Sequence, residues 1–593
     1  MIETFCKEEI KKDKSIAYFS MEIGIDSRIP TYSGGLGVLA GDTLRSCADL
    51  KVPIVGITLL YKKGYFYQKL DEQGNQTELP AQWTPSDFLE PLPGKINVKI
   101  ENRDVLVRVW QYKLKSVDGN YFVPIFLLDT DVPENSDYDK SLTDYLYGGD
   151  EKYRFAQEII LGIGGVRMLR ELGYTDIKKY HMNEGHSSLL VLELARPGRF
   201  ACGEELKKQE EPSSVRDLCV FTTHTPVPAG HDKFSYDLVK NVLGDFVSLD
   251  TLKMLAGEKN LNMTLLALNS AGYINGVAKK HGEVSREMFP GYPIDSITNG
   301  VHPYTWVSES FRKLYNKYIS GWPKDPFTLR NIMSIPKTEI WDAHMGAKRK
   351  LIDYVNDESN VGMNYETLTI GFARRLSTYK RAGLLFFDIE RLVNISKKAG
   401  KIQVVLAGKA HPKDIHGKEL IKKIFECIRR VKKDIKIVYL ENYDVELGKI
   451  ITAGVDLWLN TPSRPKEASG TSGMKASLNG VPNFSILDGW WIEGCIEGVT
   501  GWSIGEKTIG AVRNKSRETD VPSIWGISET VEENSDEKDA HDLYKKLENV
   551  IIPMFYKDRE QWLSIMQYCI AFNASFFNTN RMVHEYVLNA YLT

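Results

Sequence analysis

Apolar runs rich in β-branched residues recur along the chain, and each is followed by a polar or glycine-rich loop and a helical pattern. In the first half these runs open the segments "SIAYFSMEIG", "VPIVGITLLY", "IKKYHMNEGHSSLLVLELA", "LCVFTTHTPVP" and "IDSITNGVHP". Short continuous apolar runs bounded by turn residues are typical of strands buried on both faces of a parallel sheet. The first half is therefore predicted to form an α/β domain around a largely parallel sheet.

The second half repeats this plan. Its strand-like runs open the segments "LTIGFARRLSTYKRAGLLFF", "IQVVLAGKAHP", "IKIVYLENYDVELGKIITAG", "DLWLNTPSRPKEASG" and "NFSILDGWWIEG". Residues 303–362 lie between the two sets and carry mainly helical patterns, such as "SESFRKLYNKYI". Two α/β domains are therefore predicted, with a boundary just after the "NGVHP" loop.

Three further segments have helical or polar patterns. From about residue 543 the chain is predicted to form amphipathic helices. The acidic, polar stretch "ETVEENSDEKDAH" is predicted to be a solvated loop. The glycines of "LGIGGVRML" lie inside an apolar helical pattern, which indicates close helix packing rather than a dinucleotide-binding loop.

Composition and charge limit the functions that the chain can have. With 593 residues, 42% of them hydrophobic, it is long enough for two or more packed cores. Lys and Arg number 76 against 78 Asp and Glu, so the net charge of −2 offers no global basic field for nucleic acid or an anionic membrane. Seven scattered cysteines, a charged N-terminal segment and apolar runs too short to span a membrane predict a cytoplasmic protein without a metal site.

The loops after the predicted strands are the places where ligands should bind, because parallel sheets bind ligands beyond the carboxyl ends of their strands. The loop "YSGGLGVLAGD" places Gly34, Gly35 and Gly37 where a strand gives way to a helix. Their spacing does not match the dinucleotide fingerprint G-x-G-x-x-G. The loop is either a structural turn or a segment whose backbone approaches a phosphate or a sugar.

The segment "FARRLSTYKRAG" places Arg374, Arg375 and Lys380 around the end of a predicted strand. Charged runs commonly form solvated helix faces, which is one interpretation of this segment. A second interpretation is an anion-binding site, and the position of the segment at a strand end favours it. Arginine offers a rigid two-pronged donor for phosphate and lysine a point charge, so the set suits free or esterified phosphate.

In the segment "EASGTSGMKASLNG", several Gly, Ser and Thr residues precede a predicted helix. Such a loop leaves backbone N–H groups free to bind a phosphate. Lys475 is then either an exposed helical lysine or the Schiff-base lysine of a pyridoxal-phosphate enzyme. Glu467 is either a helix-capping carboxylate or a group that binds sugar hydroxyls. His186 and His224, also at strand ends, are either structural histidines or parts of the site.

Taken together, these segments resemble the α-glucan phosphorylases, the glycogen, starch and maltodextrin phosphorylases, in a short form like that of bacterial and archaeal members. The segments that carry the resemblance are "GGLGVLAGD", "HMNEGHSS", "FTTHTPVP", "NGVAKKHGE", "TNGVHP", "RRLSTYKRA", "AGKAHP", "ENYDV" and "EASGTSGMKASLNG". They follow the family's order from about residue 16 to residue 500.

The resemblance implies a GT-B glycosyltransferase fold, in which two Rossmann-like domains face a cleft and the C-terminal helices cross back to the first domain. The expected ranges are 1–305 for the N-terminal glucan-binding domain, 306–560 for the C-terminal pyridoxal-phosphate domain and 561–593 for the returning helices. A homodimer is a further expectation from the family.

The resemblance also implies roles for individual residues. Lys475 matches the lysine that carries pyridoxal 5′-phosphate, and Arg375 and Lys380 match groups that hold the substrate phosphate. The other expected cofactor contacts are Arg374, Thr471, Ser472, Tyr443 and Gly37. The residues expected to bind the glucosyl unit are Tyr379, Glu467, Ser469, Gly470, His224 and Asn299, with Gly34, Gly35 and Leu36; His224 is also expected to serve catalysis.

The implied reaction is reversible phosphorolysis of α-1,4-glucan ends by inorganic phosphate, which yields glucose 1-phosphate with retained configuration. In the family the cofactor's 5′-phosphate exchanges a proton with the substrate phosphate. Two phosphates close together repel each other, so the many cationic and backbone donors in these segments have a physical reason.

Three departures from the longer family members affect these expectations. Ser472 and Gly473 stand where those members have Gly-Asn, so the phosphate contact is expected to change from backbone to hydroxyl. Glu184 replaces an aspartate, which leaves its role open. About 33 residues precede the glycine-rich loop, so no phosphorylation switch and no AMP activation are expected through an N-terminal extension.

Three rival interpretations differ in testable ways. Glycogen and starch synthases share the fold, but retaining enzymes of that class often have two glutamates with seven residues between them, and Lys475 stands where the second would follow Glu467. An inactive glucan-binding scaffold predicts damage among the polar strand-end residues, which is not seen. A hydride-transferring oxidoreductase lacks its dinucleotide fingerprint.

Overall fold

The computed structural model describes residues 14–196, 212–505 and 533–592. These residues form two compact α/β units, each with its own largely parallel sheet, as the sequence predicts. The first unit contains the described parts of Met1–Phe66, Pro80–His302 and Thr579–Thr593, and the second contains Tyr67–Leu79 and the described parts of Pro303–Asn578. These ranges differ from the predicted domains at residues 67–79, 303–305 and 561–578, which all belong to the second unit.

The strands are numbered along the chain. They are β1 (Ile16–Ser20), β2 (Ile54–Leu59), β3 (Tyr67–Leu70), β4 (Gln76–Leu79), β5 (Glu90–Ile100), β6 (Arg103–Lys115), β7 (Phe122–Asp129), β8 (Lys179–Asn183), β9 (Cys219–Thr222), β10 (Lys233–Ser235), β11 (Asn260–Asn262), β12 (Tyr273–Gly276), β13 (Ile294–Ser296), β14 (Leu368–Ala373), β15 (Ile402–Ala407), β16 (Lys436–Leu440), β17 (Leu457–Asn460), β18 (Asn483–Ile486) and β19 (Gly501–Ile504).

The α-helices of the first unit are Gly35–Asp49, Asp137–Lys140, Glu151–Ile159, Gly165–Glu171, Leu190–Leu194, Tyr236–Leu243, Leu249–Ala256, Met263–Ser270, Lys279–Met288 and Thr579–Tyr586. Those of the second are Pro303–Trp306, Glu309–Tyr318, Lys337–Ser359, Ile389–Lys398, Ile415–Val431, Val445–Gly454, Ser472–Ser477, Trp491–Gly494, Glu533–Lys546, Ile552–Lys557 and Arg559–Tyr568. π-helical turns continue several of them at Ile160–Gly164, Leu547–Ile551, Cys569–Ala574 and Val587–Tyr591. Short 3-10 helices include Gly185–Ser187, Pro326–Ser334 and Thr378–Lys380.

In the described part of the first unit, nine strands form one sheet in the order β13–β12–β9–β8–β1–β2–β7–β6–β5. The strands from β13 to β7 run parallel, and β7, β6 and β5 form an antiparallel meander. The apolar runs predict β1, β2, β8, β9 and β13 correctly. They miss β5 and β6, in which exposed and partly exposed residues interrupt the apolar run, and they also miss β7 and β12, which are mostly buried.

In the described part of the second unit, six strands form an all-parallel sheet in the order β16–β15–β14–β17–β18–β19. The five predicted strands are confirmed, and β19 ("GWSI") is an addition that is too short to stand out in the sequence. The strand order reverses between β14 and β17. Such a reversal opens a crevice at the carboxyl ends of the strands, where α/β sheets bind ligands.

The C-terminal helix Thr579–Tyr586 and the turn after it complete the core of the first unit. Met582, Val583 and Tyr586 pack with residues of β1 and of the helix Gly35–Asp49. The hydroxyl group of Tyr591 lies 2.7 Å from His181 Nδ1. This segment is therefore an integral part of the first unit.

Two predictions about local structure have different outcomes. The glycines of "LGIGGVRML" do lie at close helix contacts, because a Cβ at Gly162 would come within 2.8 Å of Leu190 N. The prediction of a solvated loop over "ETVEENSDEKDAH" is wrong from residue 533 onward, where the helix Glu533–Lys546 begins. Asp539 of that helix is buried, and a hydrogen bond from Arg381 at 2.8 Å offsets the cost of burying its carboxylate. The first residues of the stretch lie outside the described ranges.

Helices in the described ranges are either too short or too polar to cross a lipid bilayer.

Candidate functional site

A cluster of charged side chains lies at the carboxyl end of the second sheet, beside the reversal of strand order. Arg374 follows β14, Lys380 ends a 3-10 turn, and Glu467 lies in the loop after β17. Glu467 accepts a hydrogen bond from Arg374 Nη2 at 2.6 Å and contacts Lys380 Nζ at 2.8 Å and 3.0 Å through its two carboxylate oxygens. Two cations thus meet one carboxylate, which leaves an excess positive charge.

Burial alone would raise the pKa of Glu467, which is only 7% exposed. The charges of Arg374 and Lys380 outweigh this effect and lower the pKa of Glu467 to about 2. The carboxylate is therefore ionised at neutral pH.

Several polar atoms in this cluster are buried without a hydrogen-bond partner among the described residues. They are Arg374 Nε, Ser377 Oγ and Ser469 Oγ. Buried donors without partners cost free energy, so a native protein that keeps several together usually supplies a partner from outside the chain. Three donors around an excess positive charge suit an anion with several oxygen atoms, such as phosphate.

Lys475 lies in the helix Ser472–Ser477 and is only 7% exposed. Its Nζ atom lies 3.6 Å from the centre of the Trp306 ring. The interpretation of Lys475 as an exposed helical lysine is therefore wrong. Ser472, at the start of this helix, accepts a hydrogen bond from Trp458 Nε1 at 3.2 Å, and a Cβ at Gly473 would overlap Asn483 Oδ1.

Asp488, after β18, holds the loop that carries Glu467. Its carboxylate accepts hydrogen bonds from the backbone N–H groups of Glu467 and Gly489, both at 2.9 Å. Burial raises the pKa of Asp488 to about 6, although these backbone donors oppose the shift. Ser469 O in turn accepts a hydrogen bond from Trp490 N at 2.9 Å. The segment after β18 thus fixes the backbone on which Glu467 and Ser469 lie.

The remaining candidates of the second unit differ in their exposure and in their contacts with this cluster. The Tyr379 ring lies 4.5 Å from Lys380 Nζ, and Gly470 has a left-handed φ of +86°. Arg375 is exposed, whereas its neighbour Arg374 is not. Burial raises the pKa of Tyr443, and the nearby charge of Arg374 opposes the shift. Thr471 is partly exposed immediately before the helix of Lys475.

In the first unit, the glycine-rich loop is held by Glu22, which follows β1. Glu22 accepts hydrogen bonds from Ser33 N at 2.5 Å, Gly34 N at 3.2 Å and the Tyr147 hydroxyl at 2.9 Å. A Cβ at Gly37 would lie 2.7 Å from Glu22 Oε2. The contacts of the protein itself therefore explain the glycine at this position without a ligand. A Cβ at Gly34 or Gly35 would meet no described atom within 4 Å.

These glycines therefore leave the backbone of the loop open to a ligand. The adjacent Leu36 is partly exposed.

His224, after β9, lies in a network of neutral hydrogen bonds. Its Nε2 atom lies 2.6 Å from Asn183 Oδ1, while Asn183 Nδ2 donates to Ser20 Oγ at 3.0 Å. This arrangement assigns the ring proton to Nε2 and leaves Nδ1 as an acceptor. Burial lowers the pKa of His224 to about 3, so the ring is neutral at physiological pH.

The role of Glu184, left open by the sequence, is visible in its hydrogen bonds. Its carboxylate accepts bonds from His224 N at 2.8 Å, the Thr225 hydroxyl at 2.9 Å and Gly185 N at 3.0 Å. Glu184 therefore orients the His224 loop. Asn299, after β13, has a buried Oδ1 atom without a partner among the described residues, and its carbonyl accepts a bond from Arg581 at 3.0 Å.

The sequence analysis missed Glu22, Trp306 and Asp488. Glu22 and Asp488 each come two residues after a buried strand, and that position could have identified them. Trp306 lies in a helical segment far from Lys475 in sequence, so no local pattern indicates their contact. No group of three or more His, Cys, Asp or Glu side chains in the described ranges is arranged to hold a metal ion.

Comparison with known proteins places the chain in a family. The family model described as carbohydrate phosphorylase matches residues 31–105 and 244–501. The chain is 40% identical to a maltodextrin phosphorylase of Thermococcus litoralis, over 97% of this chain and 70% of that protein. It is 33% identical to a glycogen phosphorylase of Aquifex aeolicus (99% and 87%) and 34% identical to one of Mycobacterium tuberculosis (97% and 70%).

The family model covers more than half of the chain, and the alignments with these relatives cover nearly all of it. The resemblance drawn from the sequence segments is thus confirmed, and the chain belongs to the carbohydrate phosphorylase family.

Proposed function

We propose that this protein catalyses the reversible phosphorolysis of α-1,4-glucans such as maltodextrin and glycogen. Inorganic phosphate would take the glucosyl unit from the non-reducing end and yield α-glucose 1-phosphate with retained configuration. The observation that carries the proposal is the convergence of Arg374 and Lys380 on Glu467 beside three buried atoms without partners. The names of the maltodextrin and glycogen phosphorylases among the relatives support the same reaction.

Pyridoxal 5′-phosphate is the proposed cofactor, and the donor set of the second unit fits it. The second unit contains a buried lysine, Lys475, and a set of buried donors that lack partners among the described residues and include Arg374 Nε. Lys475 would carry the cofactor, Arg374, Thr471 and Ser472 would hold its phosphate group, and Tyr443 and Gly37 would contact it. When bound, the cofactor supplies a phosphate group for proton exchange with the substrate phosphate.

The cations of the second unit are proposed to hold the substrate phosphate. Lys380 and Arg375 would neutralise its charge, which lowers the repulsion between two phosphates at short range. Because the pKa of Glu467 is lowered to about 2, its carboxylate stays ionised and would accept hydrogen bonds from glucosyl hydroxyl groups. Ser469, Gly470 and Tyr379 would bind the same sugar unit.

In the first unit, neutral groups are proposed to bind the glucan. The Nδ1 atom of His224, left as an acceptor by the bond of Nε2 to Asn183, would accept a hydrogen bond from a sugar hydroxyl. Asn299 and the backbone of Gly34, Gly35 and Leu36 would add further contacts. A neutral imidazole suits this task because it binds a hydroxyl without adding charge.

The rival synthase activity is not favoured, because the relatives named above are phosphorylases. The GT-B type of the fold, a cytoplasmic location and a homodimer remain parts of the proposal.

The first experiment is to record the absorbance and fluorescence of the purified protein before and after borohydride reduction, and then to identify the labelled peptide. We expect a pyridoxyl group on Lys475, with Lys475→Arg as the unlabelled control. The same preparation should release glucose 1-phosphate from maltodextrin and inorganic phosphate. A colourless protein that cannot be reconstituted and transfers glucose from a sugar nucleotide would refute the proposal.

A further inference from the structure

The antiparallel hairpin of β3 and β4 belongs to the second unit, although the residues on either side of it belong to the first. Two glutamines of the hairpin, Gln68 and Gln76, contact loops that are more than 300 residues away in the sequence. Gln68 is fully buried. The two side chains are joined by a hydrogen bond from Gln68 Nε2 to Gln76 Oε1 at 2.8 Å.

The glutamine pair binds the backbone on both sides of Lys409, in the loop after β15. Gln68 Nε2 donates to Gly408 O at 3.0 Å. Gln76 accepts a bond from Ala410 N at 3.0 Å and donates to Ala410 O at 2.9 Å. The two primary amides thus pair with the loop backbone much as a neighbouring strand would.

The same hairpin also binds the loop after β16. Gln68 Oε1 accepts a hydrogen bond from Asn442 N at 2.9 Å, and Gln68 N donates to Asn442 Oδ1 at 3.2 Å. Leu70 N donates to Glu441 at 3.0 Å. The residue after Asn442 is Tyr443, one of the candidate site residues. Gln68 therefore fixes the ends of two adjacent strands at once.

The loop around Lys409 in turn supports the loop that carries Arg374. Lys409 O accepts a hydrogen bond from Leu376 N at 2.9 Å, and Ala407 O accepts one from Arg374 N at 3.1 Å. A Cβ at Gly408 would overlap Arg374 O, so the two loops lie in direct contact. A displacement of the Gly408–Ala410 loop must therefore move the backbone of Arg374–Leu376.

We propose that Gln68 and Gln76 are positioning residues for phosphate binding. They hold the Gly408–Ala410 and Asn442 loops, and through them the backbone that presents Arg374, Arg375 and Lys380. The inference rests on the proposed function, because it takes Arg375 and Lys380 as ligands of the substrate phosphate and Arg374 as a ligand of the cofactor phosphate. A hydrophobic residue at position 68 would remove the side-chain acceptor of Asn442 N and one of the two donors to Gly408 O, the other being the Tyr439 hydroxyl at 2.7 Å.

The test compares three variants of the full-length protein, each loaded with pyridoxal phosphate. Gln68→Leu removes the amide, and Gln76→Glu keeps the shape of the side chain but loses the donor to Ala410 O. Lys69→Gln is the matched control, because Lys69 is on the same hairpin and its exposed side chain contacts Glu441 and the Tyr67 ring but neither Gly408 nor Ala410. The KM values for phosphate and for maltodextrin are measured separately, and the binding of inorganic phosphate is measured by calorimetry.

We expect the KM for phosphate and its dissociation constant to rise by about tenfold in Gln68→Leu and by a smaller factor in Gln76→Glu. The KM for maltodextrin should change less than twofold, and Lys69→Gln should behave as the wild type. If Gln68→Leu does not fold, the affinity of Gln76→Glu for inorganic phosphate decides the test. Unchanged phosphate affinity, or an equal rise in both KM values, would overturn the inference.

The two proposals can fail separately. A wild-type protein that binds inorganic phosphate but releases no glucose 1-phosphate would contradict the proposed function, and the calorimetric comparison would still test the role of the glutamines. A wild-type phosphorylase whose Gln68→Leu variant binds phosphate normally would contradict the positioning role alone.

Discussion

Two buried carboxylates at opposite ends of the second sheet have similar surroundings. Glu467, beyond the carboxyl ends of the strands, contacts Arg374 and Lys380. Asp456, just before β17 at the amino end, accepts a hydrogen bond from Lys348 at 2.5 Å and lies 2.8 Å from His344 Nε2. Burial and the presence of two basic partners therefore do not distinguish the two clusters.

The difference lies in how completely the polar atoms are paired. The Asp456 carboxylate also accepts a bond from Thr369 N at 2.7 Å, and Lys348 donates a second bond to Thr367 O at 2.8 Å. Within the described ranges, the Asp456 cluster leaves only His344 Nδ1 unpaired, whereas three atoms are unpaired around Glu467. A saturated cluster stabilises the fold, and an unsaturated one at a strand-order reversal is suited to bind a ligand.

The largest expected effect is on stability, from Asp456→Asn. This change leaves the fully buried charge of Lys348 without its anion, and we expect the free energy of unfolding to fall by about 3–5 kcal/mol. Activity per folded molecule should be unchanged, because the cluster lies at the amino end of the strands. Urea unfolding and phosphorolysis at low temperature check both parts. A large loss of activity in the folded variant would contradict the structural role of Asp456.

The next effect is on activity, from Lys380→Met. Loss of the cation that is proposed to hold the substrate phosphate should lower kcat/KM for phosphorolysis by about a hundredfold to a thousandfold. Lys348→Met is the matched control, since it removes the cation of the other cluster and should reduce stability but not kcat/KM. An equal loss of activity in the two variants would contradict the different roles of the Glu467 and Asp456 clusters.

Most of the buried parallel strands, and the polar loops that follow them, were predictable from the sequence because such strands are continuous apolar runs that end in polar loops. The pairings were not predictable, because Glu467 lies 93 residues from Arg374 and local patterns do not record such distances. The role of Gln68 was not predictable for the same reason, because the loops that it contacts are more than 300 residues away in the sequence. The exposed strand β5 and the charged helix Glu533–Lys546 were missed because tertiary contacts decide their structure.

A smaller effect should appear in the pH dependence of stability, because two neighbouring carboxyl groups shift in opposite directions. The pKa of Asp488 is raised to about 6, against about 3.9 for an unfolded chain, so its ionisation disfavours the folded state. Stability from this group is present below about pH 4 and is lost as the pH rises toward 6, by about 2 kcal/mol.

The pKa of Glu467 is lowered to about 2, so its contribution is present above about pH 4 and is lost only as the pH falls further. Urea unfolding gives the free energy of unfolding of the wild type and of Asp488→Asn between pH 4 and 7. The difference between the two values at each pH measures the contribution of Asp488. A difference that is constant across this range would show that Asp488 does not titrate there.

The smallest effect tests the unpaired atoms directly. Ser469→Ala removes a buried hydroxyl without a partner, so the free energy of unfolding should stay the same or rise by up to about 1 kcal/mol. The KM for maltodextrin should rise by about fivefold. Thr452→Val removes a buried hydroxyl that is bonded to Gly448 O at 2.8 Å. This change should lower the free energy of unfolding and leave the KM for maltodextrin unchanged. Equal loss of stability in both variants would remove the distinction between paired and unpaired groups.

The place of the C-terminal helix in the first unit has a consequence for the synthesis of the protein. Met582, Val583 and Tyr586 fill part of that unit's core, and they are translated only after residues 303–578 of the second unit. The nascent first unit therefore carries an open apolar surface while residues 303–578 are translated. A chaperone that covers such surfaces should bind this chain throughout that interval and dissociate only after the helix Thr579–Tyr586 has emerged.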